Sequence, residues 1–192
     1  MVHAGILIVE DQELMRKGLK IVLESNPAFQ IVGMARNGLE GIMLCEKLKP
    51  DLILMDIHMP IMNGIDATKS IKQLYPDRKI LILSTFKNEM TMTEAMAAGA
   101  DGYVLKATDP ALLLKGVDCV LQEGSVLSVC LARIIIEKFP RRVLGDREYE
   151  IAWNASKGVS IEETSKIMNL HPYQVKFYQS CLFSRFKQEY VR

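Results

Sequence analysis

No stretch of this 192-residue chain is apolar for anything near the roughly 20 residues that a membrane-spanning helix requires. Its opening, MVHAGILIVED, has no basic segment ahead of the apolar run, so it is not read as a secretory signal. The four cysteines, Cys45, Cys119, Cys130 and Cys181, include no C-x-x-C pair and have no histidine cluster beside them. That argues against a disulfide scaffold or a zinc site, and buried, reduced thiols in a cytoplasmic protein are expected instead. His3 and His171 stand isolated and suggest no metal. No glycine-rich loop follows the first apolar run, which argues against a nucleotide or flavin phosphate site. Internal repeats and low-complexity tracts are absent as well.

What is present is ordinary globular material, with 49% apolar and 24% charged residues, enough for one to two domains. The net charge of +1 conceals an asymmetry. Residues 141–192 hold nine Lys/Arg against six acids, a balance of +3, and the fifteen bases and seventeen acids before them give −2. A modestly basic tail permits nucleic-acid binding without demanding it.

Four short, continuously apolar runs organise the first part, and each ends on a chemically useful residue. GILIV leads into Glu10–Asp11, LILM into Asp56, ILIL into Ser84–Thr85, and GYVL into Lys106. Such runs, alternating with segments of helical character, describe parallel strands buried on both faces. Strands are predicted near 5–9, 29–35, 52–55, 79–83 and 102–105, and helices near 12–24, 38–48, 65–74, 88–98 and 109–122. Asn26–Pro27, Asn37–Gly38, Pro50–Asp51, Pro76–Asp77 and Gly102 punctuate them. Strict alternation predicts an α/β fold, a doubly wound five-stranded parallel sheet of order 2-1-3-4-5. Function in such sheets collects outside the carboxyl ends of the strands.

The residues that meet there suit phosphoryl transfer. Asp56, ending the central strand, can accept a phosphoryl group as an aspartyl-phosphate. The incoming charge calls for Mg²⁺, which prefers a few hard oxygens plus water. Glu10, Asp11 and Asp56 supply carboxylates, and the backbone carbonyl of His58 is placed to add an oxygen. Lys106 offers a point charge to the phosphoryl oxygens and Thr85 a hydroxyl. Gly64 is expected to tighten the loop after Pro60.

Glu10–Asp11, LILMDIHMP around Asp56, Gly64, Ser84–Thr85 and DGYVLK ending at Lys106 resemble the receiver domain of bacterial two-component response regulators. The resemblance implies that Asp56 is phosphorylated from a sensor histidine kinase with Mg²⁺. It also implies that Thr85 turns inward to the phosphoryl while Tyr103 changes rotamer with it. Ala107 departs from the proline that many receivers carry after the lysine.

Three domain segments are expected: a receiver over 1–123, a connecting helix and linker over 124–143, and an all-α helix-turn-helix unit over 144–192. Within them, 129–139 is read as the connecting helix, and helices are predicted near 146–157, 161–168 and 172–186. Leu144, Arg147, Glu148, Glu150, Gly158, Ser160, Glu163 and Val175–Lys176 resemble the output domain of NarL/LuxR-type regulators. In such domains the third helix enters the major groove. The resemblance implies a phosphate or guanine contact by Lys176, a base-edge contact by Gln174, and phosphate neutralisation by Lys166 and Arg185. Ala152, Asn154, Thr164–Ser165, Pro172–Tyr173 and Tyr178 depart from that pattern, and most of a fourth, dimerising helix is missing.

The leading expectation is a phosphorylation-gated transcription regulator, a switch rather than an enzyme, that partners a histidine kinase, DNA and, once phosphorylated, a second copy of itself. The rival is a receiver that controls a protein partner, with an output unit that no longer reads DNA. A phosphatase built on an aspartyl-phosphate needs a second Asp two residues after the first, and here His58 stands there.

Overall fold

A computed structural model describes residues 3–85, 89–107, 109–123, 132, 135–137, 139 and 141–190. The chain divides into two compact units, Met1–Gly124 and Ser125–Arg192.

The first unit alternates strand and helix throughout: β1 (Ala4–Val9), α1 (Glu13–Glu24), β2 (Phe29–Ala35), α2 (Gly38–Leu48), β3 (Leu52–Asp56), α3 (Gly64–Leu74), β4 (Lys79–Ser84), α4 (Glu89–Ala97), β5 (Gly102–Leu105) and α5 (Pro110–Glu123). All neighbouring strands pair in parallel, in the order β2-β1-β3-β4-β5. The expected sheet is the observed one. Ile6–Ile8, Leu52–Met55 and Ile80–Ile82 are wholly buried, which is why these runs carry no polar alternation. Truncating any one of them to alanine is expected to cost about 2–5 kcal/mol.

Local chemistry sets the helix starts. The side chains of Asn37 and Asn63 accept hydrogen bonds from Glu40 N and Asp66 N, capping α2 and α3. Register then fixes the site: Val9 lies beside Met55, Asp56 beside Leu83 and Ser84 beside Leu105. The residues at or just past these strand ends therefore come to one edge of the sheet.

In the second unit, residues 132 and 135–137 are helical; the rest of the predicted 129–139 helix, apart from residue 139, lies outside the described residues. Arg141–Arg142, read from sequence as linker, instead begin a short helix α6 (Arg141–Leu144), and Arg141 Nε reaches Asp146 at 2.8 Å. Next come α7 (Asp146–Ser156), α8 (Ile161–Ile167) and α9 (Pro172–Tyr190). A capping box between Ser160 and Glu163 opens α8, and Pro172 takes the first position of α9. Leu144, Ile151, Ala152, Val175, Leu182, Phe183 and Phe186 form its core. The departures Thr164 and Ser165 are buried, and Ser165 Oγ donates to Glu162 O at 2.8 Å, so this polar intrusion is satisfied within its own helix. Among the described residues no helix is long and apolar enough to cross a membrane.

Candidate functional site

Glu10, Asp11 and Asp56 each bring a carboxylate oxygen to one point, all within 4.8 Å of one another. Glu10 is 0% and Asp56 2% exposed, so two of the three charges are held away from water. Lys106 answers them: its Nζ lies 2.7 Å from Glu10 Oε2 and 3.0 Å from Asp56 Oδ1. Burial raises the Glu10 pKa above the usual glutamate range; the Lys106 hydrogen bond opposes that rise and the Asp56 charge adds to it. For Lys106, burial acts to lower the pKa, but the hydrogen bonds and charges of Glu10 and Asp56 outweigh it and raise the ammonium's pKa.

Three carboxylates against one ammonium leave an excess of negative charge. The Oδ1 atom of Asp11 is buried and makes no hydrogen bond. A buried acceptor without a donor, set among hard oxygen ligands, fits a small divalent cation such as Mg²⁺.

The remaining sequence-predicted residues surround this cluster in different ways. Thr85 is exposed just past β4, with Ser84 buried before it. Tyr103, on β5, is buried, and the His58 side chain is exposed. Gly64 follows the Asn63 cap and donates from N to Ile57 O at 2.9 Å. A Cβ there would run into the carbonyl of Asp56, 2.8 Å from its carbon, so only glycine lets the loop pass this close to the candidate acceptor. The same loop holds Ile61 at φ 69°, a left-handed conformation rare for a β-branched residue.

Sequence reasoning passed over Arg16. It is buried on α1, and its Nη1 donates to Glu10 O at 2.6 Å and to Asp11 O at 3.1 Å. An arginine one turn into an amphipathic helix reads as a solvated charge, and only its distance in sequence from the two acids could have drawn attention to it.

In the second unit the four predicted DNA contacts are not equally available. Lys166 is exposed and Lys176 half-buried. Gln174 Oε1 accepts from His171 N at 2.9 Å, which spends its carbonyl on the start of α9. Arg185 Nη1 pairs with Glu148 Oε2 at 2.9 Å and donates to Val143 O at 3.3 Å, tying α9 to α7 and α6. Instead Tyr173 and Phe177, one turn apart on α9, are each 64% exposed, and Ile167 at the end of α8 is exposed too. Their i, i+4 spacing was the available signal.

Residues 6–118 match the response regulator receiver domain. The chain is a response regulator. It is 35% identical over 170 residues to the transcriptional regulatory protein DegU of Brevibacillus brevis, spanning 88% of this chain and 72% of that one. It is 31% identical over 196 residues to LnrK of Bacillus subtilis, another transcriptional regulatory protein, spanning 94% and 89%. Among solved structures, a LuxR-family response regulator from Aurantimonas sp. SI85-9A1 superposes with a TM-score of 0.67 at 32% identity. That match covers 71% of this response regulator and 97% of its counterpart. These likenesses group the chain with the NarL/LuxR-type regulators and make its receiver a signalling switch.

Proposed function

We propose that this response regulator is a phosphorylation-gated transcription regulator whose phosphoacceptor is Asp56. The observation that carries the reading is the buried Asp56 carboxylate, gathered with Glu10 and Asp11 within 4.8 Å and faced by Lys106 at 3.0 Å. An Asp56 oxygen attacks the phosphorus of a sensor kinase's phosphohistidine; the O–P bond forms as the N–P bond breaks, and the imidazole leaves. Glu10, Asp11, Asp56 and the His58 carbonyl would hold Mg²⁺, which neutralises charge on the phosphoryl oxygens when bound. The Lys106 ammonium exchanges part of its carboxylate contact for the phosphoryl oxygens, and its raised pKa keeps it charged for that role.

Thr85 carries the signal outward. Its hydroxyl is drawn toward the phosphoryl oxygens, and the space beside it holds Tyr103 inside. Tyr103 is already buried while Thr85 is exposed, so the step left to phosphorylation in this reading is the inward turn of Thr85, which then holds the ring in place. Paired receivers then bring two output units together on DNA, where α9 enters the major groove with Lys176 and Lys166 near phosphates. Gln174 keeps its amide nitrogen for a base edge, and Arg185 reaches DNA only by leaving Glu148. The chain works in the cytoplasm.

One observation favours the rival, a protein-binding output: Ile167, Tyr173 and Phe177 are apolar where DNA interfaces are strongly basic. Two measurements test the proposal. Acetyl phosphate with Mg²⁺ should add one phosphoryl group by intact mass, and Asp56→Asn should gain none. A gel shift on the chain's own upstream DNA should appear on phosphorylation and weaken with salt. An Asp56→Asn protein that still takes up the group removes the acceptor assignment. No shift in either state favours the protein-binding output.

A further inference from the structure

Arg16 is a buried charge whose hydrogen bonds run to main-chain oxygens rather than to a carboxylate. Its guanidinium spans two successive carbonyls, those of Glu10 at 2.6 Å and Asp11 at 3.1 Å. These are the residues whose side chains form two-thirds of the acidic cluster. The rest of the turn is fixed from other sides: Glu10 N donates to Ala35 O at 3.1 Å, Gln12 N to Glu10 Oε1 at 3.2 Å, and Arg16 N to Gln12 O at 2.9 Å.

Burying a cation against neutral dipoles alone is costly. Here the net negative charge of Glu10, Asp11 and Asp56 lies just beyond those carbonyls. Lys106 meets the cluster at its carboxylates, and Arg16 supports it from the main-chain side. With both carbonyls held, the peptide planes at 10 and 11 cannot rotate, so the two side chains leave the backbone in fixed directions. Asp11 depends on this most, because its buried Oδ1 has no hydrogen bond of its own to orient it.

We infer that Arg16 is a positioning residue of the phosphoacceptor site, setting the aim of Glu10 and Asp11 toward the divalent cation through their carbonyls. The inference rests on the metal-dependent reading of that site proposed above. Both bonds leave one nitrogen, Nη1, at the tip of a rigid planar group, whereas a lysine ammonium ends a shorter, flexible stem and holds two acceptors less firmly. Outer partners that orient metal ligands commonly govern about 10–100-fold in affinity.

The test is calorimetric titration of the full, unphosphorylated chain with Mg²⁺, alongside thermal unfolding without metal. Arg16→Lys, which keeps the charge, should bind Mg²⁺ about 10-fold more weakly while its metal-free unfolding temperature stays close to that of the unaltered chain. Arg16→Gln, shorter and uncharged, provides a second variant and should lose at least as much. Asp11→Ala is the reference for the site itself. If Asp11→Ala keeps full affinity, the metal reading of the site fails. If Asp11→Ala loses affinity while Arg16→Lys binds within two-fold of the unaltered chain, the positioning role is overturned. An Arg16→Lys protein that merely melts earlier, with affinity intact, is likewise a result against it.

Discussion

The two units of this chain treat buried charge in opposite ways. Among the described residues, the first buries Glu10, Arg16, Asp56 and Asp101, while the polar groups buried in the second are the hydroxyls of Ser156, Thr164 and Ser165. In the first, Asp101 is neutralised structurally, pairing with Lys72 at 2.7 Å and accepting from Ile80 N at 2.8 Å. The other three converge on the strand ends. In the second unit, ion pairs such as Arg141–Asp146 lie in solvent, where they contribute little. A domain that buries like charges together accepts a standing cost that a bound cation can relieve. Among the described residues the second unit buries no cluster of like charges.

Four substitutions break or sharpen this contrast. The largest effect is expected for Gly64→Ala. The added methyl meets backbone rather than a movable side chain, so stability should fall by more than about 5 kcal/mol, and phosphorylation by acetyl phosphate should fall with it. Urea midpoints and intact mass report both, and a Gly64→Ala chain of unaltered stability would show that the loop yields.

Lys106→Met comes next. It leaves Glu10 and Asp56 with no ammonium between them, and breaking a buried pair from one side costs about 3–5 kcal/mol. The sign with pH is specific. A buried acid with a raised pKa is tolerated when protonated and destabilises as it ionises, so its burden grows as pH rises through that pKa. The gap between variant and unaltered chain should therefore narrow from about pH 7 toward about pH 5, and Mg²⁺ should narrow it at neutral pH. A gap that widens in acid would contradict the assignment.

Ser160→Ala removes the capping box of α8 and should cost about 1 kcal/mol, confined to the second unit; phosphoryl uptake should be unchanged. Phe177→Ala is expected to move stability by no more than about 0.5 kcal/mol, since the ring is mostly exposed. Its value lies in the gel shift. Lost DNA binding at unchanged stability would place the ring at the nucleic-acid interface, and unchanged DNA binding would leave it to a protein partner.

Most of the first unit was legible because its strands are uninterrupted apolar runs that end on charges, and parallel register does the rest. Strands β2 and β5 matched their expected bounds, and β1, β3 and β4 ran one residue longer, as in β3, which takes in Asp56 itself. What escaped was directional: which acceptor or donor a given polar side chain turns to. Arg16 looks like a surface residue until α1 folds back over the turn it follows. Arg185 reads as a phosphate contact until Glu148, 37 residues away, approaches to 2.9 Å. Gln174 has only its amide nitrogen left for a base edge, because the helix start claims its carbonyl. Such partnerships leave no period in the sequence. The α6 turn escaped because Arg141–Arg142 after a proline has linker composition.

The tryptophan count has a practical consequence. The chain has one, Trp153, on α7 in the second unit, 45% exposed, with the Tyr149 ring stacked at 6.3 Å and the Lys157 ammonium 4.6 Å from its centroid. Tryptophan emission from this protein therefore comes from the output unit alone, in a setting where a cation and a second ring shape its intensity. Melting of that unit can be followed optically while far-ultraviolet dichroism follows the whole chain, which separates two unfolding events without labels or truncation.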